Sequence, residues 1–496
     1  MTLSIDAPAA AADILSRPIG HLIGGASIDA ADDFFATVNP CNGEVLAQVA
    51  SGTEADVDRA VAAARAALDG PWGRMTPSER GKILWRLADL IEARTEEFAH
   101  LEALDTGKPV TYARLVDLPL TVDWFRYMAG WPTKLVGSTI PISAVATPGD
   151  YFAYTKREPV GVVAAIIAWN FPLMLAAWKL SPALAAGNTV ILKPAEQTPL
   201  TAALLGEVIR DAGFPDGVVN IVQGYGETVG AALTAHPGVD KVSFTGSTEV
   251  GRHIVRASAG NLKKVTLELG GKSANIVFDD ADIAAAAAGA ANAVFFNQGE
   301  ACTAGSRLFV QSGVYDQVVE GVAKFAAQIK VGDSLDPSSQ MGPVVSDQQF
   351  STVMGYLESG RQQGATFAYG GSQLGASGYF IEPTVLTDTA PGMKVVDEEI
   401  FGPVITVQRF DDVDEVVRAA NSSCYGLAGG VWTSNVARAH AVADRLRAGT
   451  VWVNSYNVFD PALPFGGYKQ SGWGREHGAA VFDSYTETKT VVVPTT

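Results

Sequence analysis

Cysteine is scarce in this chain: three in 496 residues, at Cys41, Cys302 and Cys424, with no C-x-x-C spacing. That argues against a disulfide framework and a cysteine-based zinc site. It points to a reducing compartment, so a cytoplasmic location is expected. Histidine is nearly as sparse, six in all without an H-x-x-x-H pair, and no metal is expected. Positive charge is also short: 36 Lys and Arg stand against 53 Asp and Glu, a net charge of -17. With no basic patch to offset this, no nucleic acid is expected as a partner. No run approaches the roughly 20 apolar residues of a spanning helix, so no membrane is expected either. The first twenty residues are alanine-rich, carry Asp6 and Asp13 and lack a basic start. They read as a loose tail, not a signal peptide.

What is present is apolar sequence, 47% of the chain, and length for two or three domains at roughly 100–200 residues each. Thr76-Pro77-Ser78-Glu79 is a capping box with proline at the first helical position. Apolar residues at helical spacing follow, so a helix is predicted over 77–94, with another before it that Gly70 stops. From Val160 strands and helices alternate: strands at 162–168, 189–192, 218–222 and 242–244, helices at 173–186, 200–211, 228–235 and 249–257. Short apolar strands in βαβ alternation imply a doubly wound parallel sheet, which binds nucleotides beyond the carboxyl ends of its strands. A second α/β block begins near Gly270-Gly271, with strands at 274–278 and 308–310, helices at 283–296 and 318–329, and continuations at 395–407 and 449–453. The alanine run at 284–288 reads as a tightly packed helix. Segments 134–156 and 485–493 fit neither block; they look like edge strands, for which pairing across a subunit boundary is expected.

Five places carry chemistry. Cys302 lies on a glycine-punctuated loop among small neighbours and is a candidate nucleophile. Asn170, in Trp169-Asn170-Phe171-Pro172, closes the first strand of the parallel sheet and can donate to a developing oxyanion. Lys193 and Glu196 close the second strand, where an acid bonds adenosine ribose hydroxyls; the carboxylate favours NAD, while Lys193 leaves NADP open. Phe244-Thr245-Gly246-Ser247-Thr248 is a strand-turn-helix whose helix start suits a pyrophosphate. Gly224-Tyr225-Gly226 lacks the G-x-G-x-x-G spacing. Glu268, between two leucines and before Gly270-Gly271, is a general-base candidate because partial burial raises its pKa. Each has an ordinary alternative: a core thiol, a turn asparagine, a surface ion pair, a capped helix and a strand-end glutamate. Together they supply a nucleophile, an oxyanion donor, a base and a dinucleotide site, the parts needed to oxidise an aldehyde through a thioester.

With these motifs, and with Glu398-Glu399-Ile400-Phe401-Gly402-Pro403 and Pro464-Phe465-Gly466-Gly467, the chain resembles the aldehyde dehydrogenase superfamily from about residue 28 to 489. The resemblance implies an α/β fold: a doubly wound NAD-binding domain (1–133 and 157–268), an α/β catalytic domain (269–477) and a small β oligomerisation arm (134–156 and 478–496). It implies a homo-oligomer, expected as a tetramer. Carried over by residue, Cys302 attacks the aldehyde, Asn170 and the Cys302 N–H hold the oxyanion, Glu268 activates water, and Lys179 with Glu476 relays protons. For the cofactor the resemblance implies Ile167, Trp169, Lys193, Glu196, Gly226, Gly230, Phe244, Gly246, Ser247, Leu269, Glu399 and Phe401. Two departures stand out. Ala168 replaces the proline common before Trp-Asn, and Glu300-Ala301 precedes the nucleophile, where Glu300 is expected to put a charge near the pocket wall.

Phe171, Trp178, Phe296, Phe459 and Phe465 are expected around the access tunnel, which favours an aromatic aldehyde. Residues 124–131 and 457–476 are most similar to phenylacetaldehyde dehydrogenases. The competing readings are a broad-range aliphatic or benzaldehyde-type dehydrogenase, a CoA-acylating variant, a catalytically silent relative, and a papain-like hydrolase, which would need a histidine beside Cys302.

Overall fold

The computed structural model describes residues 9–28 and 33–495. The first of its two large sheets has a parallel centre ordered Lys264–Glu268, Lys241–Thr245, Val162–Ile166, Thr189–Lys193, Val219–Ile221. Val162–Ile166 and Thr189–Lys193 are buried along their whole length, as strands covered on both faces must be. From Val162–Ile166 the chain winds first toward Thr189–Lys193, then crosses back to lay Lys241–Thr245 on the other side. That reversal opens a crevice beyond the carboxyl ends of the strands. Antiparallel strands His21–Ile23, Ala26–Ile28 and Gly472–Trp473 complete the sheet to eight.

The helices start where their chemistry directs. The Thr76 hydroxyl accepts from the Glu79 N–H and Glu79 accepts from the Thr76 N–H at 2.8 Å, opening Pro77–Ala93. A second capping box, Thr53 with Asp56, opens Glu54–Asp69. The predicted 228–235 helix starts earlier, with a π turn at Gly226–Gly230 ahead of Ala231–Ala235. The N-terminal tail is not loose where it is described: Ala9–Ser16 is helical, with Ala11 and Ile14 buried. Asp6 lies outside the described residues.

The chain leaves the first sheet directly after Glu268 and enters the second at Ala274–Val277. This sheet runs Thr366–Tyr369, Thr384–Thr387, Val404–Phe410, Arg307–Gln311, Ala274–Val277, Ala428–Trp432, Thr450–Val453, and only Thr366–Tyr369 is antiparallel. The alanine-rich helix Ile283–Phe295 packs closely: a Cβ on Gly289 would lie 2.2 Å from the Trp432 ring. Segment 395–407 is split between a short helix, Lys394–Asp397, and the strand Val404–Phe410.

The two β-rich pieces expected to pair across a subunit boundary pair with each other. Thr486–Pro494 runs antiparallel to Tyr151–Pro159 from Thr486↔Pro159 to Pro494↔Tyr151, and Thr139–Ile140 adds on the far side. Local complementarity within one chain satisfies most of the backbone that looked unpartnered in sequence. Thr486–Pro494 remains an edge of this sheet. Among the described residues no helix is long and apolar enough to cross a membrane.

Candidate active site

A cavity of about 470 Å³ opens at the switch point, and Asn170, Glu268 and Cys302 all line it. Each arrives on a different element. Asn170 sits in the loop between Val162–Ile166 and the helix Pro172–Ala185, whose first residue is proline. Glu268 is the last residue of its strand. Cys302 lies on the loop that follows Ile283–Phe295.

That loop is held in an uncommon backbone state. Asn297, Gln298 and Gly299 have φ of 52°, 56° and 75°, three left-handed residues in succession, a conformation that persists only where surroundings fix it. Asn297 Nδ2 donates to the carbonyls of Asn170 (3.2 Å) and Glu300 (3.0 Å), and Asn170 Nδ2 donates to Glu300 O at 2.9 Å. The oxyanion donor and the nucleophile loop are thus tied into one unit. An amide nitrogen carries two hydrogens, so one anchors Asn170 and the other is left for a ligand. Beyond Cys302, Tyr456 Oη donates to Thr303 O at 2.8 Å and Thr303 Oγ1 to Asn457 Oδ1 at 3.1 Å. The double glycine after Glu268 is a matter of space more than flexibility. A Cβ on Gly271 would meet the Cys302 carbonyl oxygen at 2.2 Å, and one on Gly270 would meet Glu399 at 2.0 Å.

Burial governs the charges. It pushes the Cys302 thiol up to about 12, helped by Glu399 and Glu268, while the N–H groups of Cys302 and Thr303 favour the thiolate. Burial likewise raises Glu268 well above the usual carboxylate range; Glu476 adds to this and Lys179 and Arg475 oppose it. Glu268 Oε2 is buried without a hydrogen-bond partner. Glu476 Oε1 accepts from Lys179 Nζ at 3.0 Å and from Ser243 Oγ at 3.4 Å. Lys179 and Glu476 are buried behind the cavity and do not line it.

At the other end Trp169, Gly246, Ser247, Leu269, Glu399 and Phe401 line the same cavity, with Trp169 edge-on to Phe401 at 5.1 Å. Burial lifts Glu399 to about 7, and its Oε1 accepts from the Gly271 N–H at 2.8 Å. Lys193, Glu196, Gly226, Gly230, Ile167 and Phe244 lie outside the lining. Lys193 and Glu196 pair at 2.8 Å at their strand end; Ile167 gives its N–H to Lys193 O, and Phe244 packs under Gly246. These residues fit a dinucleotide. Thr245 Oγ1, on a lining residue, is buried and unpartnered. The helix Thr248–Ser258 opens toward the cavity with only the Val250 N–H taken by Ser247. Nothing lies within 4 Å of a Cβ built on Gly226 or Gly230, which leaves open space before both.

All five aromatic residues expected at the tunnel, Phe171, Trp178, Phe296, Phe459 and Phe465, line the cavity. Glu300 does not. Its side chain is buried, Oε1 accepts the Val345 N–H at 2.9 Å, and burial keeps the carboxyl raised. The left-handed turn before it swings the side chain away, so the expected charge near the wall is absent there. Sequence reasoning missed Val116, Leu120, Met174, Leu175, Gln349 and Asn457, which also line the cavity. The helical spacing of Met174, Leu175 and Trp178 on one helix could have flagged the first two. No histidine is among the lining residues. His477 packs instead between Trp124 and Trp178, its ring 4.1 Å from Trp178, and burial depresses it to about 3. A papain-like pair with Cys302 therefore has no imidazole.

A thiol, an amide donor and a carboxylate at the switch point of a dinucleotide-type sheet define an NAD-dependent oxidoreductase acting on aldehydes. The chain belongs to the aldehyde dehydrogenase family, whose sequence profile matches residues 28–491. It is similar to the mitochondrial aldehyde dehydrogenase of Homo sapiens, 53% identical over 462 residues, covering 92% of this chain and 88% of that protein. Its structure is similar to the NAD+ complex of an aldehyde dehydrogenase from Bacillus cereus, with a TM-score of 0.96, 49% identity and 99% of each chain covered. It is also similar to an indole-3-acetaldehyde dehydrogenase from P. syringae in complex with NAD+ and IAA, with a TM-score of 0.93, 44% identity and 96% of each covered.

Proposed function

We propose that this enzyme oxidises aromatic aldehydes of the phenylacetaldehyde type to the carboxylic acid. The observation that carries this reading is the ring-lined end of the cavity beside Cys302: Phe171, Trp178, Phe296, Phe459 and Phe465. Their edges and faces suit a planar ring in a water-poor channel. The similar solved structure named for an indole aldehyde supports the same class.

In this reading the Cys302 sulfur attacks the carbonyl carbon, and the carbonyl electron pair moves to oxygen, held by the free Asn170 hydrogen and the Cys302 N–H. The thiol proton leaves to water at the mouth of the cavity as the C–S bond forms. Bound NAD supplies the hydride acceptor that turns the thiohemiacetal into a thioester. Glu268 then takes a proton from water, which attacks the acyl carbon, and the C–S bond breaks to restore Cys302. Lys179 and Glu476, at 3.0 Å from each other, carry the proton onward. Glu196 holds the adenosine ribose and disfavours NADP. We assign 134–156 and 478–496 to the contact between copies in a homotetramer, in a cytoplasmic enzyme. The boundary at 156 falls inside Tyr151–Pro159, so the whole strand belongs with the arm.

Val116, Leu120, Met174 and Leu175 favour a second reading, a broad-range enzyme for alkyl chains. NADH formation with phenylacetaldehyde, benzaldehyde and hexanal separates the two. The highest kcat/KM is expected for phenylacetaldehyde; a clear preference for hexanal rejects the aromatic reading.

A further inference from the structure

Glu102, Lys108 and Asp117 make a charge cluster with no direct part in the proposed reaction. Lys108 Nζ donates to Asp117 Oδ2 at 2.6 Å and to Glu102 Oε1 at 3.3 Å, and all three side chains are about 1% exposed or less. Withdrawing two carboxylates and an ammonium from water is costly, and an apolar trio of similar volume is often as stable. Stability alone therefore does not account for the cluster, but its neighbours do.

The Lys108 ammonium sits 4.2 Å from the centroid of the Phe171 ring, and that ring also stacks on Phe296 at 6.1 Å. Phe171 is the residue next to Asn170 and precedes Pro172–Ala185, a helix with no side-chain cap. Glu102, on the helix Thr95–Thr106, meets this corner through Lys108, and its second oxygen is buried without a partner. Asp117 closes the π turn Ala113–Asp117 and lines the cavity. Three elements thus converge on the corner that carries the oxyanion donor. The Cys302 segment holds the same corner through Glu300 O, the Asn297 amide on the Asn170 carbonyl and Phe296 against Phe171, and Lys108 adds a second contact to the Phe171 ring.

We propose that Glu102, Lys108 and Asp117 are positioning residues for Asn170: the two carboxylates fix the ammonium and the ammonium holds the Phe171 ring beside Asn170, so the free amide hydrogen meets the developing oxyanion. The inference rests on the oxyanion role of Asn170 given above. Removing the ammonium releases the Phe171 ring and moves the donor, and leaves NAD binding in place.

The test is a double-mutant cycle on the full-length enzyme, reading kcat, aldehyde KM and the Kd of NAD. Lys108→Met is expected to lower kcat by about 10- to 100-fold, the range for a donor displaced by up to about 1 Å, with the Kd of NAD within about twofold and any change in aldehyde KM smaller than the change in kcat. In an Asn170→Ala background the same substitution is expected to change kcat by less than about twofold, because residues acting through one contact are not additive. An equal loss in both backgrounds, or an unchanged kcat for Lys108→Met, overturns the proposal while leaving the role of Asn170 intact. An unreduced kcat for Asn170→Ala overturns both. If Lys108→Met does not fold, the neutral set E102Q/K108M/D117N removes all three charges of the cluster together and is read by the same cycle.

Discussion

Glu268→Gln separates the two halves of the reaction. Glutamine keeps the shape of the side chain and removes its basicity. Glu268 is buried, one of its oxygens lacks a partner, and Asp117 and Glu399 are the only other carboxylates lining the cavity. Asp117 is committed to Lys108, and Glu399 has one oxygen tied to the Gly271 N–H. Little in the cavity can therefore replace Glu268 as a base toward water. A positioned general base contributes about 10²- to 10⁴-fold, or about 3–5 kcal/mol of barrier at about 1.4 kcal/mol per tenfold. Acylation ends in hydride loss, so a burst of NADH near one equivalent per active site should survive, followed by a steady state slower by that factor. The pH dependence follows from the raised pKa: Glu268 is a neutral acid through the ordinary carboxylate range and gains its basic form only above it. Wild-type turnover should rise with pH on that limb, and the limb should vanish in the variant. Stability has the opposite sign. The native state holds a proton that the unfolded chain has released, so wild-type stability falls as pH climbs toward the folded pKa. Glu268→Gln should be at least as stable as wild type at pH 8 by thermal melt. Steady-state turnover within threefold of wild type, or loss of the burst itself, would refute the assignment of Glu268 to deacylation.

Cys302→Ala should reduce NADH formation by more than about 1000-fold while NAD titration stays near wild type; surviving turnover would move the nucleophile elsewhere. Gly271→Ala places a methyl 2.2 Å from the Cys302 carbonyl oxygen. The loop must move by about 1 Å, which should cost about 100-fold in kcat and about 1–3 kcal/mol in a denaturant melt; an unchanged kcat would show that the loop is not fixed from that side. Glu196→Gln should raise the ratio of kcat/KM for NADP over NAD by about tenfold or more, since it removes a carboxylate that repels a nearby phosphate. Measured with a saturating aldehyde, an unmoved ratio would place the ribose contact at another residue.

The parallel sheets were legible because Val162–Ile166 and Thr189–Lys193 are buried on both faces and must read as unbroken apolar runs. The capping box at Thr76 was legible because its bonds close within four residues. Cys302, Asn170 and Glu268 were legible as residue types beside strand ends and glycines, and the switch point brings them together. Longer-range effects were not. Glu300 lies two residues from Cys302 in sequence, yet three left-handed residues before it turn it toward Val345, and nothing local declares such a turn. Gly270-Gly271 shows in sequence only as a double glycine after Glu268, because its crowding comes from Cys302 and Glu399, far along the chain. Lys108 shows as a charge in a helix-rich stretch; its burial depends on an aspartate nine residues on and a ring at position 171.

The burial of Cys302 has a consequence for the lifetime of the enzyme. Oxidation to sulfenic and then sulfinic acid begins from the thiolate, as does alkylation. Burial, with Glu399 and Glu268 beside it, raises the Cys302 pKa, so the resting enzyme holds the thiol and not the thiolate at neutral pH. The surroundings that make the sulfur slow to ionise therefore also slow its oxidation and alkylation between turnovers. No second cysteine lines the cavity, so a sulfenic acid formed there would have no resolving thiol, and protection rests on keeping the proton on sulfur.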